Sequence, residues 1–203
     1  MKTYNTINEA WYFACTECLE SGYEYQIEKG SFEGHIRRQL EHMALCIEHP
    51  EVRPLAVSYK GKNVTTDLQI NDYFAEYLIS GKLRENETYT YGHRMYPFLS
   101  ATIDKLKETP GTNQACLEIA SPSDVLMVHP PCLRLVDFKA GDGKINLHAY
   151  FRSWDLYAGF PMNVAGLQLL NEYVAHEADM KTGKMFLYSS GAHLYDYAWC
   201  VFN

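Results

Sequence analysis

The sequence is short of positive charge. It carries 18 Lys and Arg against 25 Asp and Glu, a formal net charge of −7, which excludes a broad nucleic-acid surface because phosphate backbones are bound through clustered cations. A single nucleotide needs only a local cluster. Long apolar runs are missing too. None approaches the ~20 residues of a membrane span, and the opening MKTYNTINEAWYFAC interrupts its hydrophobicity with Asn, Thr and Glu, unlike a signal peptide. A cytoplasmic protein without membrane association is expected. Six cysteines in a chain without secretory features fit reduced thiols better than a disulfide framework. Cys15 and Cys18 form a CxxC inside an apparent helix with no second ligand pair nearby, so they read as half-buried helix residues, and no metal is expected. Internal repeats, linkers and low-complexity tracts are also absent.

What is present is enough apolar residue for one core: 203 residues, 47% hydrophobic, predict a single domain over 1–203. Apolar residues recur at helical spacing from Ile7 to Leu19, and Ser21-Gly22 ends that run. Residues 36–47, IRRQLEHMALCI, fit a helix or a strand by pattern, and the following HPEVRPLAVSYKG is broken by Pro50 and Pro54. NDYFAEYLISG predicts a helix with Asn71 or Asp72 as N-cap and Gly81 as terminator, and PFLSATIDKLKE predicts another from about Pro97 to Glu108. Three strands are expected at QACLEIA, PCLRLVDFKA and KINLHAYFRS, the last two joined by a hairpin at Asp142-Gly143. VAGLQLLNEYVAHEAD then reads as a buried helix and KMFLYSS as a final short strand. The fold class is α/β (α+β), a mixed β-sheet with flanking helices, which alone does not specify function.

The chemically richest stretch is FRSWDLYAGFPMN, where a strand hands over to a helix and Arg152, Ser153, Asp155 and Asn163 cluster. Arginine offers a planar fork of donors to phosphate oxygens, Ser153 adds a hydroxyl, and backbone amides at a helix start favour an anion. The alternative is an ordinary surface pair between Arg152 and Asp155.

Pro130-Pro131-Cys132, then Arg152-Ser153-Trp154-Asp155, then Gly159-Phe160-Pro161-Met162-Asn163, then His193-Leu194-Tyr195 resemble the signature order of the thymidylate synthase family. The resemblance extends upstream to TYTYGHRMY and spans roughly residues 87–197, and the first 80 residues are similar to a compact archaeal and phage branch. Four motifs in order are far more specific than any one of them. The resemblance implies C5 one-carbon transfer to a pyrimidine nucleotide, dUMP or dCMP, with 5,10-methylenetetrahydrofolate or a related pterin as co-substrate and no metal. It implies Cys132 as the nucleophile that adds to C6, with Arg152 serving both thiol and phosphate. Tyr91 enters as part of the network removing the C5 proton, and Asp155 and Gly159 as residues facing the reduced folate. Ser153, His193 and Tyr195 are implied as nucleotide ligands. His193 and Tyr195, one residue apart on an extended segment, point the same way. Asn163 offers one acceptor and one donor to the base edge, which favours uracil, although a flipped amide presents the pattern cytosine needs. The resemblance implies a homodimer as well.

The chain departs from the family pattern in places. Leu133 stands where His usually follows the cysteine, Met95-Tyr96 where Trp-Arg often stands, and Asn113-Gln114 where a partner-subunit Arg pair grips phosphate. Arg38 and Arg53 are the candidates for an N-terminal phosphate arginine. No motif fixes the catalytic glutamate, for which Glu76 is the candidate, with a solvated helix residue as its ordinary reading. The sequence given ends at Asn203, so the segment that closes over folate in larger members is not expected. Thymidylate synthase is the first reading. A nucleotide hydroxymethylase, with water replacing hydride, and a non-catalytic nucleotide-binding protein are the alternatives.

Overall fold

The computed structural model describes residues 1–30 and 32–202. In chain order the elements are β1 (Lys2–Tyr4), α1 (Ile7–Ser21), β2 (Tyr23–Gln26), β3 (Ile36–Gln39), β4 (Met43–Ile47), β5 (Ser58–Tyr59), β6 (Lys62–Asn63) and α2 (Asp67–Tyr73). A π turn, Phe74–Leu78, extends α2, and α3 (Tyr91–Glu108), β7 (Cys116–Glu118), a 3-10 turn at Pro122–Leu126, β8 (Leu133–Gly141) and β9 (Lys144–Phe151) follow. The chain then forms β10 (Trp154–Asp155), α4 (Gly159–Glu177), β11 (Lys181–Ser189), β12 (Ala192–Tyr195) and α5 (Asp196–Trp199).

Six strands make a mixed sheet in the order β1-β4-β11-β9-β8-β7, with β9 and β11 parallel around the crossover helix α4. Alternation sorts its faces: in β8 and β9, Val136, Phe138, Ile145, Leu147, Ala149 and Phe151 are fully buried against the helices. A second sheet, β10-β12-β3-β2, stands beside it, and β5 and β6 form a separate ribbon. The hairpin between β8 and β9 turns at Asp142 and Gly143, with φ of 52° and 68°. Asp-Gly accepts that left-handed geometry readily, as the sequence indicated.

α1 starts where Thr6 accepts the Glu9 N–H, and it buries Ile7, Ala10, Trp11, Ala14, Cys15 and Cys18 on one stripe. Cys15 and Cys18 are fully buried rather than half-buried, and burial pushes both thiols upward. Residues 36–47 are two strands, which settles the open choice there. Three helices begin earlier than their sequence patterns suggest. α2 is capped by Thr66 in a capping box with Gln69, not by Asn71 or Asp72. α3 is capped by Thr90 and carries Pro97 in its interior, so the proline that looked like a first-turn residue lies mid-helix. α4 begins at Gly159, ahead of the apolar stripe that starts at Val164.

Two of these starts position the site. Gly92, in the first turn of α3, lies so near the π turn that a Cβ would sit 2.5 Å from the Ser80 carbonyl and 2.9 Å from that of Leu78. Only glycine lets that helix end seat there, and its neighbour Tyr91 is thereby packed edge-on against Tyr77, centroids 5.0 Å apart. At α4, Asp155 Oδ1 accepts the N–H groups of Tyr157 and Ala158 at 2.9 and 3.2 Å, turning the chain from β10 into the helix.

Candidate active site

Between the two sheets lies an open cavity of about 420 Å³, walled in part by Lys29, Arg37, Tyr89, Cys132, Arg152 and Tyr195. Three permanent cations face one hollow in a chain of net charge −7. Such a concentration favours an anion there.

Cys132 sits on the loop entering β8, half-buried. Arg152, at the end of β9, reaches back over that loop. Its Nε donates to the Pro131 carbonyl at 3.0 Å, its Nη2 donates to the Pro130 carbonyl at 2.7 Å, and Nη2 lies 3.8 Å from Cys132 Sγ. Burial raises the Cys132 thiol, and Arg152 and then Arg134 oppose that rise without cancelling it. The surface pair between Arg152 and Asp155, the sequence alternative, does not form, because the Asp155 carboxylate is turned into the α4 start. Burial raises the Asp155 carboxyl even against those amides.

Behind the cysteine stands a second clamp. Asp124, 2% exposed, accepts from Arg94 at 2.7 and 2.9 Å and from Arg134 at 3.0 Å. Arg134 also donates to the Pro131 carbonyl at 3.2 Å. The hydrogen bonds from Arg94, aided by the Ser121 N–H and Arg134, hold the Asp124 carboxyl at about 2 despite burial.

Tyr91 Oη accepts the N–H of Leu133, next to Cys132, at 3.3 Å. Burial and the nearby Cys132 raise that phenol well above its ordinary range. Tyr73, Tyr77 and Tyr89 cluster with it, with Tyr73 and Tyr77 stacked at 5.4 Å and Tyr89 and Tyr91 at 6.3 Å. Asn163, in the first turns of α4, gives its Nδ2 hydrogen to Tyr73 Oη at 2.8 Å and takes the Trp154 indole N–H on Oδ1 at 3.1 Å. Gly159 is one turn ahead of Asn163, and Ser153 lies half-buried between Arg152 and Trp154.

On β12, His193 and Tyr195 share a side, their rings 4.9 Å apart edge to face. His193 is 3% exposed, its Nδ1 bonds the Gly191 carbonyl at 2.8 Å, and its Nε2 is buried with no partner among the described residues. Facing a carbonyl, Nδ1 must carry the proton, which leaves Nε2 as a bare acceptor. Burial lowers this imidazole to about 4. Tyr195 stacks on Phe32 at 4.1 Å.

Several sequence candidates lie elsewhere. Arg38 faces the other side of β3, toward α1 and α5, where it pairs with Glu24, donates to the Leu19 carbonyl at 2.5 Å and lies over Trp199 at 4.7 Å. Its neighbour Arg37 points into the cavity, over Tyr25 at 4.6 Å, with a buried Nε that has no partner among the described residues. Adjacent strand residues face opposite ways, so a one-residue shift moves the side chain across the sheet. Arg53 is taken by Glu172 at 2.7 Å. Glu76 is exposed and paired with Arg84, and so stands as a solvated π-turn residue. Tyr89, two residues ahead of Tyr91, lines the cavity. Arg37, Lys29, Tyr73 and Trp154 were not singled out. The sequence carried no sufficient signal for them: the facing of Arg37 is set by its pairing opposite Tyr195.

The sequence profile of the family described as thymidylate synthase matches residues 56–199. A protein of Methanosarcina barkeri named "Putative thymidylate synthase" is 32% identical over 201 residues, 96% of this chain and 88% of its own. A protein of the same name from Methanosarcina acetivorans is 31% identical over 200 residues, 95% of this chain and 88% of its own. The thymidylate synthase of varicella-zoster virus is 37% identical over 98 residues, 48% of this chain and 33% of the viral one. Matched across more than two thirds of its length, with Cys132, Arg152 and Tyr195 of its motifs lining one cavity, this chain belongs to the thymidylate synthase family.

Proposed function

We propose that the chain, as one domain over 1–203, is a thymidylate synthase that converts dUMP to dTMP through a covalent adduct of Cys132. The convergence of a thiol and three cations on one hollow supports this reading, with the unpartnered His193 Nε2 buried behind the lining residue Tyr195. The phosphate is assigned to Arg37, Arg152 and Lys29, with Ser153 as a further hydroxyl donor. The orphaned Nε of Arg37 supports that choice, since an unpaired buried donor is costly until a ligand meets it. The sugar hydroxyl is assigned to His193 Nε2 with Tyr195, and the base edge to Asn163.

In the reaction, Cys132 Sγ bonds to C6 of uracil, and the C5–C6 electron pair moves toward C5 and O4. C5 then bonds to the methylene carbon, whose bonds to the folate nitrogens break in turn with each electron pair left on nitrogen. Loss of the C5 proton is assigned to the Tyr91 network, and release of Cys132 re-forms the ring double bond. The reduced folate supplies the methylene and, in the synthase reaction, the hydride that completes the methyl group. Asp155, a buried acceptor beside Asn163, suits the N–H donors of a pterin, and Gly159 leaves space at the helix start. Arg152 is assigned to hold the thiol and anion together.

A homodimer is assigned to the outer face of the large sheet, where His148, Phe186 and Tyr188 stack half-exposed. Among the described residues no helix is long and apolar enough to cross a membrane, and the free cysteines support a cytosolic setting.

The test is tritium release from C5-labelled dUMP with methylenetetrahydrofolate, followed by mass analysis of the nucleotide. Release with dTMP as product is expected. Release with 5-hydroxymethyl-dUMP would make the chain a hydroxymethylase, and nucleotide binding without release would remove catalysis from the reading.

A further inference from the structure

Asn163 is held from two sides, and the two holders are not equivalent. Trp154 Nε1 donates to Oδ1, while Nδ2 donates to Tyr73 Oη. A phenol hydroxyl can accept or donate, so Tyr73 would be satisfied by either orientation of the amide. An indole N–H can only donate. Turning the amide over would set its N–H groups against that of Trp154 and leave both unpaired. Trp154 is therefore the contact that decides which amide atom lies where.

Trp154 has no room to yield. Its ring is 2% exposed and lies nearly parallel to Phe151 at 4.2 Å and to Phe160 at 4.6 Å. Its backbone N–H is tied to the Gly191 carbonyl at 3.0 Å. An asparagine free to flip reads both pyrimidines, since uracil offers a donor at N3 and an acceptor at position 4, and cytosine offers the reverse. A fixed asparagine reads one. With one lone pair of Oδ1 and one hydrogen of Nδ2 engaged, each atom retains one position for a base.

We infer that Trp154 is a specificity-determining positioning residue: its indole N–H locks the Asn163 amide in one orientation and so restricts the site to one pyrimidine. The inference rests on the nucleotide reading above, under which the admitted base is uracil. Tyr73, indifferent to orientation, contributes to affinity for either base and not to the choice between them.

The experiment compares dissociation constants for dUMP and dCMP, by calorimetry on the full chain, in the wild type, Trp154→Phe and Tyr73→Phe. Phenylalanine keeps an aromatic ring between Phe151 and Phe160 and deletes the N–H. Trp154→Phe is expected to reduce the preference for dUMP over dCMP by about tenfold or more, the scale of one misdirected buried hydrogen bond. Tyr73→Phe is expected to weaken both nucleotides with little change in their ratio. In ligand-free protein, the indole proton of Trp154 is expected to exchange slowly with solvent and to lose that protection in Asn163→Leu, a measurement that stands even if Trp154→Phe does not fold. An unaltered ratio in a Trp154→Phe protein that binds dUMP, or an indole proton unmoved by Asn163→Leu, would overturn the lock and leave the proposed activity standing. A wild type that binds neither nucleotide would overturn the activity and the inference with it.

Discussion

The guanidinium of Arg152 lies 3.8 Å from the sulfur of Cys132 while bonding the carbonyls of the two prolines that precede it. One side chain thus fixes the nucleophile's loop and places positive charge beside the thiol. Burial raises that thiol, and Arg152 is the largest influence opposing the rise. Replacing Arg152 by Gln leaves burial less opposed, so the thiolate fraction at neutral pH falls. Alkylation of Cys132 by iodoacetamide, followed on its own peptide by mass spectrometry, should slow near neutral pH with its midpoint moved up. An unmoved midpoint would remove Arg152 from the activation of this cysteine.

Cys132→Ala deletes the atom that forms the adduct and little else, since the loop is held by the Pro130 and Pro131 carbonyls. Tritium release should drop on the order of 10³-fold or more. Binding of dUMP should persist. Substantial release from this variant would contradict the assignment of the nucleophile.

Arg37 and Arg38 are neighbours with opposite duties. Arg37→Ala should weaken dUMP by about ten- to a hundredfold, as loss of a charge-assisted phosphate contact does, and leave deoxyuridine nearly unaffected. Arg38→Ala should lower the melting temperature and leave the ratio of nucleotide to nucleoside affinity alone, because its partners are Glu24, the Leu19 carbonyl and Trp199. Equal losses for nucleotide and nucleoside in Arg37→Ala would move the phosphate elsewhere.

The contrast between these arginines shows what was legible in the sequence. Cys132, Arg152, Asn163 and His193 were singled out because their motifs stand in a fixed order, and β8 and β9 were found because alternation and Asp-Gly agree. The facing of Arg37 was not, because it depends on β2 and β12, which pair with β3 from distant parts of the chain. Tyr73 was missed for a related reason. The π turn that follows it shifts the helix face by a residue relative to a regular 3.6-residue period, so spacing alone does not show which side chain reaches Asn163. Pro97 misled the start of α3 because proline favours a first turn, and the Thr90 cap lay outside the apolar stripe.

Asp124 ties Arg94 and Arg134 together behind the nucleophile's loop. Asp124→Asn removes the carboxylate from between two arginines that stay largely buried, at a cost of about 3 kcal/mol at neutral pH. Its folded carboxyl is held at about 2, below the unfolded value, so its stabilisation is complete above the unfolded value. It is lost as pH falls toward about 2. Denaturant melts of the wild type should therefore lose stability across that acid window, and the variant should lose less. Parallel acid profiles would show that the triad contributes nothing to the fold.

His193 titrates in the opposite chemical sense with the same direction of effect. Burial lowers its folded value to about 4, below the ordinary imidazole value near 6.5, so the unfolded chain takes up a proton before the folded one. Stability contributed by the neutral ring is complete above about pH 6.5 and declines as pH falls toward 4, by roughly 2–3 kcal/mol across the window. His193→Gln has no proton to take up, so its stability curve should be flatter between pH 6.5 and 4 even if it starts lower. The same ring must stay neutral to offer Nε2 to a sugar hydroxyl, and affinity for deoxyuridine, which lacks the phosphate that itself titrates at about 6, should hold steady from pH 7 down to about 5. An affinity that falls with a midpoint near 6.5 would mean that the imidazole is solvated in the free site, and that its buried acceptor is not what meets the sugar.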